Sequence, residues 1–227
     1  MLDIGKKSAG KTGVGDLMDF IELDLNTWDI AEGDYDVVMA NQSLHHFVEL
    51  ELLFENIAKA IGHTGVFITS DIIGRNGHMR WPEALAIIQK LWAELPDRCK
   101  YNRLLGRFEA SYENWDCSVS GFEGIRCQDI LPLLIEHFHF DLFIAFGNLI
   151  DIFVDRAFGH NFDPKNKDDL AFIDRVATLD QQMIEARTLS PTHMFAIMRH
   201  KEDVPAPTGL KAKIYKHLSP EFCLRKK

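Results

Sequence analysis

Three short segments in the first third of the chain carry apolar patterns typical of β-strands. Asp19–Leu25 alternates apolar and acidic residues, which predicts a half-buried strand. Tyr35–Gln42 and Gly65–Asp71 contain near-continuous apolar runs, which predict buried parallel strands. Between the last two segments, apolar residues recur at helical spacing up to Gly62: Leu50, Leu53, Phe54, Ile57 and Ile61. A strand–helix–strand unit of this kind predicts an α/β fold with a parallel sheet.

The pattern changes after the third strand and resumes about fifty residues later, which predicts a helical insertion over residues 75–127. Pro82 suits the first turn of a helix in this insertion, and the segment can be either a lid over a ligand or a structural cap. Beyond it, a helix is expected to begin at Cys127, and strands are expected near Phe140 and Phe195. An amphipathic helix is expected before the last of these strands.

Polar clusters follow each of the three predicted strands. They are Asp24–Asn26, Asn41–His46 and Asp71–Asn76. In α/β sheets, ligands bind outside the carboxyl ends of the strands, so three clusters on one edge predict a ligand site. The alternative is that these residues only cap helices and turns.

Composition excludes several classes of function. The net charge of −9 argues against a general nucleic-acid surface, and the apolar runs are too short to cross a membrane. The four cysteines show no C-x-x-C spacing, which indicates reduced thiols in a cytoplasmic protein. Residues 201–227 are basic, and we expect a solvated tail there or a segment that binds an acidic partner.

The adjacent histidines His45 and His46 raise the question of a metal site. Neighbouring histidines in a loop do not easily bind one ion, and no third ligand lies at a fixed spacing from them. We therefore expect no metal here.

Residues Asp34–His78, which read DYDVVMANQSLHHFVELELLFENIAKAIGHTGVFITSDIIGRNGH, resemble the second half of a class I S-adenosylmethionine-dependent methyltransferase. The resemblance rests on an Asp that opens the strand (Asp36), a polar strand end, the Leu44–His46 motif, and the helix and strand that follow. The preceding ELDLNTW resembles the segment whose acidic residue lies near the adenine of the cofactor, and Asp24 occupies that position.

The resemblance implies methyl transfer from S-adenosylmethionine to a small-molecule acceptor. It also implies that the last strand of the sheet runs antiparallel. The cofactor-binding residues that it implies are Asp24, Leu25, Asn41, Gln42 and Ser43. From position alone, His46 is the candidate catalytic base and Asp71 the second choice. The candidate substrate-binding residues follow the third strand: Arg75, Asn76, His78, Arg80 and Trp81.

The start of the chain departs from the family pattern. Leu2–Gly5 has a strand-like opening but lacks the glycine-rich turn that lets the backbone approach the cofactor. We therefore expect a flexible or remodelled leader over residues 1–18 and a first strand–helix–strand unit that is absent or remodelled. The methyltransferase-like domain is expected over residues 19–200. A degenerate, non-catalytic binding module of the same fold is the alternative.

A further alternative comes from Gly5–Thr12, which matches the phosphate-binding pattern G-x-x-x-x-G-K-[ST]. Such a loop would indicate a nucleotide hydrolase. It needs a buried strand before it and a helix after it, and Gly13 and Gly15 do not favour that helix.

Overall fold

Helices and strands alternate along the chain of the computed structural model, which describes residues 2–25, 27, 31–33, 35–201 and 218–225. In chain order they are α1 (Leu2–Thr12), β1 (Val37–Asn41), α2 (Leu50–Ile61), β2 (Val66–Ile72), α3 (Pro82–Glu94), β3 (Tyr101–Asn102), β4 (Arg107–Phe108), α4 (Cys127–His137), β5 (Phe138–Phe146), α5 (Ile150–Val154), α6 (Lys167–Glu185), β6 (His193–His200) and α7 (Pro220–Cys223). Their order confirms the predicted α/β class.

Four of the strands form the central sheet, in the order β1-β2-β6-β5. β1 and β2 are parallel, with Asn41 opposite Ser70, as the strand–helix–strand pattern predicted. β6 is antiparallel to both of its neighbours, which confirms the expectation for the last strand. The order places the ends of β1 and β2 next to the start of β6, and this edge carries the candidate site.

The crossover between β1 and β2 follows the apolar pattern closely. α2 packs its apolar face on the sheet and ends at Gly62, whose φ of +52° is a left-handed value that glycine adopts most easily. A Cβ on Gly62 would lie 2.9 Å from Cα of Gly33, so the close approach of the backbone also requires glycine.

The apolar interior is divided into two clusters. One lies between the sheet and helices α2 and α4, and includes Phe54, Phe67 and Leu134. The other joins the insertion helix α3 to α5 and α6. Its largest member is Trp92, which is 1% exposed and donates its indole N–H to the carbonyl oxygen of Glu109. The insertion therefore shares a second core with α5 and α6.

The prediction of a strand over Asp19–Leu25 is wrong. This segment has no regular structure, and none of the described residues pairs with it as a neighbouring strand. The apolar residues Ile21 and Leu23 of this segment are 72% and 48% exposed, so they do not pack against an apolar surface as residues of a half-buried strand would. Leu25 alone of the predicted strand packs against the sheet core.

The glycine-rich start of the chain is helical. Gly5–Thr12 lies within α1, so it does not form the loop that cradles phosphate, and no strand precedes it among the described residues. Of the two alternatives for the leader over residues 1–18, flexible or remodelled, the regular helix over Leu2–Thr12 favours the second. No strand is found before Val37 in the described part of the chain, as expected for a fold without its first strand–helix–strand unit.

Most of the basic segment over residues 201–227 lies outside the described residues. The part that is described, 218–225, packs on the rest of the chain through Leu218, Phe222 and Leu224. Arg225 stacks 3.8 Å above the ring of Trp81 and forms an ion pair with Glu83.

Two further expectations bear on the class of protein. All four cysteines are free. None of the described helices combines the length and the apolar character that crossing a membrane requires.

An ion pair joins the end of the insertion to α2. Both carboxylate oxygens of Glu51 lie 2.7 Å from the Arg126 guanidinium, which also donates to the carbonyl oxygen of Val48. The side-chain hydrogen bond from Arg126 is the main reason that the pKa of Glu51 is lowered to about 2. The insertion is therefore fastened to the helix that precedes β2.

Replacing Glu51 tests this contact. Because the folded-state pKa is lowered, the ion pair stabilises the fold above the ordinary carboxyl pKa and is lost as the pH falls towards 2. We expect Glu51→Gln to lower the free energy of unfolding at pH 7 by less than about 1 kcal/mol, because the pair is partly exposed. The deficit should shrink in urea titrations at successively lower pH. Glu55→Gln, on the exposed side of the same helix, is the control, and an equal effect in both variants would contradict the role of the pair.

Candidate functional site

The carboxylate of Asp71 lies at the centre of the site, near the end of β2, and is fully buried. One oxygen accepts the backbone N–H groups of Ser43 and Leu44, each at 2.8 Å. The other accepts the N–H of Ile72 at 2.8 Å and lies 2.6 Å from Nδ1 of His45. Asp71 thus holds the turn after β1 against the end of β2.

This environment keeps Asp71 ionised. Burial raises the pKa of the Asp71 carboxyl, but the hydrogen bond and the charge of the His45 ring and the backbone donors more than offset it. The net pKa is lower than the ordinary value. An ionised carboxylate only accepts hydrogen bonds, so Nδ1 of His45 carries a proton; in the neutral ring this tautomer leaves a lone pair on Nε2.

Nε2 of His45 faces a cluster of imidazoles and one carboxylate. It lies 3.7 Å from Oε1 of Glu123, and Nδ1 of His46 lies 3.4 Å from Oε2 of the same residue. Nδ1 of His78 is 3.8 Å from Oε1 of Glu123. The 3₁₀ turn Leu44–His46 and the insertion meet here, where the N–H of Ile125 donates to the carbonyl oxygen of His45.

His78 is uncharged at neutral pH in this environment. Burial is the largest cause that lowers its pKa to about 4, and the neighbouring His45 and Arg80 act in the same direction. Its Nε2 atom is buried and has no hydrogen-bond partner among the residues that the structure describes. The ring centroids of His45 and His78 are 5.1 Å apart, so the two imidazoles are in contact.

A cavity of about 910 Å³ opens beside this cluster, large enough for a small molecule. Its floor is the edge of the sheet, and its walls come from the insertion and from the segment around α5. Polar lining residues on the side of the cluster are Gln42, His45, His46, His78 and Glu123. Those on the opposite side include Arg75, Arg80, Tyr112, Asp151 and His193.

The opposite wall is built around a second buried ion pair. Nη2 of Arg80 donates to Oδ2 of Asp151 at 2.7 Å, and both side chains are largely buried. Nε of Arg80 and Oδ1 of Asp151 are buried without a hydrogen-bond partner in the described part of the chain. Burial raises the pKa of the nearby Tyr112 phenol, which therefore stays protonated at neutral pH. This wall offers both donors and acceptors to a bound molecule.

The structure brings together part of the predicted site. Gln42, His46, Arg75, His78 and Arg80 line the cavity. Asn41, Ser43 and Asp71 lie at the same sheet edge but are not part of the cavity wall, and Asp71 is the buried partner of His45.

Four other predicted residues lie away from the cavity wall. Asp24 and Leu25 precede the sheet in a segment without regular structure. Asn76 accepts the N–H of Gln128. Trp81 stacks on Arg225.

Sequence reasoning missed three residues of the site. The sequence pattern favoured His46 as the base, but in the structure His45 occupies the buried position of the turn and contacts Asp71. Glu123 comes from the far end of the insertion, 78 positions after His45, and no local pattern marks it. Asp151 follows β5 and lies far from Arg80 in the sequence, so only the folded chain brings the two charges together.

A comparison with protein families connects this geometry to a class of protein. Residues 1–69 match the family model of a methyltransferase domain. This match includes β1, α2 and part of β2, and it confirms the resemblance to class I methyltransferases that the motifs indicated. No curated protein matches the chain.

Solved structures with a related arrangement include geranyl diphosphate C-methyltransferase from Streptomyces coelicolor, in complex with Mg²⁺, geranyl diphosphate and S-adenosyl-L-homocysteine. It is 12% identical, with a TM-score of 0.45, over 88% of this chain and 58% of that chain. A protein from Pyrococcus horikoshii is also 12% identical, with a TM-score of 0.43, over 88% of this chain and 66% of that chain. The chain thus spans less than two thirds of the length of both proteins.

The role of Asp71 can be tested by removing its charge. In Asp71→Asn, the amide has one acceptor oxygen in place of two, and an NH₂ group faces backbone donors. We expect the free energy of unfolding to fall by about 1–3 kcal/mol, the cost of unpaired buried groups.

Urea unfolding at pH 7 measures this loss, with the exposed Asp36→Asn as the control, which should change stability by less than about 0.5 kcal/mol. Nitrogen-15 shifts of the His45 ring should also change, because its tautomer is no longer fixed. Equal stabilities of the two variants would show that the Asp71 contacts are dispensable.

Proposed function

We propose that this protein transfers a methyl group from S-adenosylmethionine to a small-molecule acceptor that binds in the cavity beside His45. The observation that carries the proposal is the cavity itself, which lies at the ends of β1 and β2 and contains an imidazole held by a buried carboxylate. The methyltransferase family match over the same two strands supports the class of reaction.

The cofactor would bind at the ends of the strands, on the side of β1. Asn41, Gln42 and Ser43 are adjacent there, and Gln42 has a φ of +50° that turns the chain at the strand end. Its side-chain NH₂ lies 3.4 Å from the carbonyl oxygen of Ser70. Leu25 packs against the same apolar core as β1, which supports a position for Asp24 on this side of the sheet.

Methyl transfer is an in-line displacement at a sulfonium. The acceptor oxygen or nitrogen forms a bond to the methyl carbon while the carbon–sulfur bond breaks, and the electron pair stays on sulfur as S-adenosylhomocysteine. The protein mainly supplies proximity, and a base removes the proton of the acceptor. A closed cavity wall also keeps water away from the reacting groups.

We assign the base to His45 in place of His46. Nδ1 of His45 is fixed by Asp71, so Nε2 is free to accept a proton from the acceptor, and Asp71 would stabilise the imidazolium that forms. Nδ1 of His46 lies 2.9 Å from the carbonyl oxygen of Phe122, and its side chain is 42% exposed, so its orientation is less constrained. Asp71 acts here as a positioning residue.

A non-catalytic binding module of the same fold is the second candidate. β1 lies at an edge of the sheet, and among the described residues no strand pairs with its other side. Val37 and Met39 on this strand are 49% and 67% exposed. The cofactor position would then have protein on one side only, which favours weak binding.

The cofactor position can be mapped by nuclear magnetic resonance. We expect S-adenosylmethionine to bind with a dissociation constant weaker than about 1 mM, near −4 kcal/mol, because residues 1–69 lack the glycine-rich turn. Amide shifts should change at Asn41–Ser43 and Asp24 and stay constant on the exposed face of α6.

Adenosine triphosphate is the matched control ligand, because it shares the nucleoside but tests the phosphate-loop alternative. Shifts confined to Gly10–Thr12 with this ligand would favour that alternative. Micromolar binding of S-adenosylmethionine would contradict the expectation drawn from the missing turn, and unchanged shifts at Asn41–Ser43 would place the cofactor elsewhere.

Catalysis by His45 is tested separately from folding. With an acceptor found by screening for transfer of a labelled methyl group, His45→Gln should lower kcat about 10²- to 10⁴-fold, the usual contribution of a base. His46→Gln should have a smaller effect, and the exposed His160→Gln none. Turnover is counted per folded molecule, since His45 is buried. A larger loss in His46→Gln than in His45→Gln would return the role to His46.

A further inference from the structure

The cluster beside the cavity has the composition of a metal site. His45, His46 and Glu123 each offer one ligand atom, and these atoms all lie within 4.8 Å of one another. Two imidazoles and one carboxylate are a donor set that divalent transition-metal ions such as Zn²⁺ accept. Sequence reasoning expected no metal because adjacent histidines rarely share an ion. In the structure, however, the two rings are tilted towards each other with centroids 4.1 Å apart.

The spacing of the donors fits an ion better than it fits hydrogen bonds. The nitrogen–oxygen distances from Glu123 to His45 and His46 are 3.7 Å and 3.4 Å, which exceeds the usual hydrogen-bond range. Zn²⁺ binds nitrogen and oxygen ligands at about 2.0–2.2 Å, so neighbouring ligand atoms in a tetrahedron lie about 3.3–3.6 Å apart. The two contacts end on different oxygens of Glu123, and one ligand atom from each residue lies within 4.8 Å of the others, so the side chains must draw closer to bind an ion. The three side chains thus surround a space in which an ion can replace the missing direct contacts.

The surroundings of His45 are those of a metal ligand. Metal-binding histidines usually donate their other ring N–H to a carboxylate, which fixes the tautomer and strengthens the ligand. Nδ1 of His45 makes this contact with Asp71 at 2.6 Å, and Asp71 is itself held by backbone N–H groups of Ser43 and Leu44. In this tautomer the lone pair on Nε2 already faces the cluster, so the ring does not have to reorient when an ion binds.

The other two ligands are placed by the turn and by the insertion. Nδ1 of His46 also lies near the carbonyl oxygen of Phe122, and this contact is exposed, so water can replace it when the nitrogen binds an ion. The insertion is held at this point by the hydrogen bond from Ile125 to His45. The side chain of Glu123 is 39% exposed, so packing does not hold its carboxylate on every side.

We propose that His45, His46 and Glu123 bind one divalent transition-metal ion at the rim of the cavity, with an open coordination position towards the bound molecule. Three protein ligands and an open position are the arrangement of catalytic rather than structural sites. The proposal goes beyond methyl transfer and does not depend on it. When an ion occupies Nε2 of His45, that nitrogen cannot act as a base. In the metal-bound protein, the ion would instead lower the pKa of an acceptor hydroxyl.

Metal binding can be measured directly on the full chain after dialysis against a chelator. Calorimetric titration with Zn²⁺ should show one equivalent, and Co²⁺ should give the intense visible bands of a tetrahedral site. Glu123→Gln and His46→Asn should each weaken Zn²⁺ binding at least about tenfold and change the Co²⁺ spectrum. Both side chains are partly exposed, so these variants are expected to fold, which circular dichroism checks.

Two controls separate this site from other donors. Glu113→Gln removes an exposed carboxylate at the rim of the same cavity, and Cys117→Ser removes the lining thiol. Neither should change Zn²⁺ affinity. The proposal is overturned if Zn²⁺ does not bind, if its affinity is unchanged in Glu123→Gln and His46→Asn, or if Cys117→Ser alone abolishes binding. All of these experiments measure metal binding, so their outcome does not depend on whether the protein transfers methyl groups.

Discussion

The carboxylate of Asp71 is fully buried and accepts hydrogen bonds from the turn after β1, from β2 and from the ring of His45. A buried charge without such partners costs several kcal/mol, so the chain around it has little freedom. The backbone N–H groups of Ser43 and Leu44 must point inwards, and the ring of His45 must follow. The orientation of the turn after β1 and of the His45 ring at the cavity therefore depends on this one carboxylate.

The strands and the crossover helix were predictable because their apolar patterns coincide with real burial. Val66–Ile72 alternates between buried and half-buried positions, and α2 buries the apolar face that its spacing predicts. The same reasoning failed at Asp19–Leu25, where an equally regular alternation stays exposed. An alternating pattern shows which residues can share one face of a strand, but a strand also needs a neighbour to pair with. None of the described residues provides such a neighbour for Asp19–Leu25.

The site was harder to predict than the fold, for a related reason. Polar residues after β1 and β2 were expected to converge, and Gln42, His46 and Arg75 do line one cavity. The choice between His45 and His46 depends on the turn geometry, which two adjacent identical residues do not reveal. Glu123 reaches the histidines only because the insertion folds back across the sheet edge, a tertiary contact without any local signal.

The insertion contributes structure as well as coverage. It shares a core around Trp92 with α5 and α6. Ion pairs between Arg126 and Glu51 and between Arg80 and Asp151 also hold it to the rest of the chain. Removing one partner of a buried ion pair leaves an uncompensated buried charge, which costs about 3–5 kcal/mol. A lid that opened by lifting the whole insertion would have to break these contacts together. We therefore expect the cavity to be largely preformed, with the insertion acting more as a structural cap than as a lid that closes after binding.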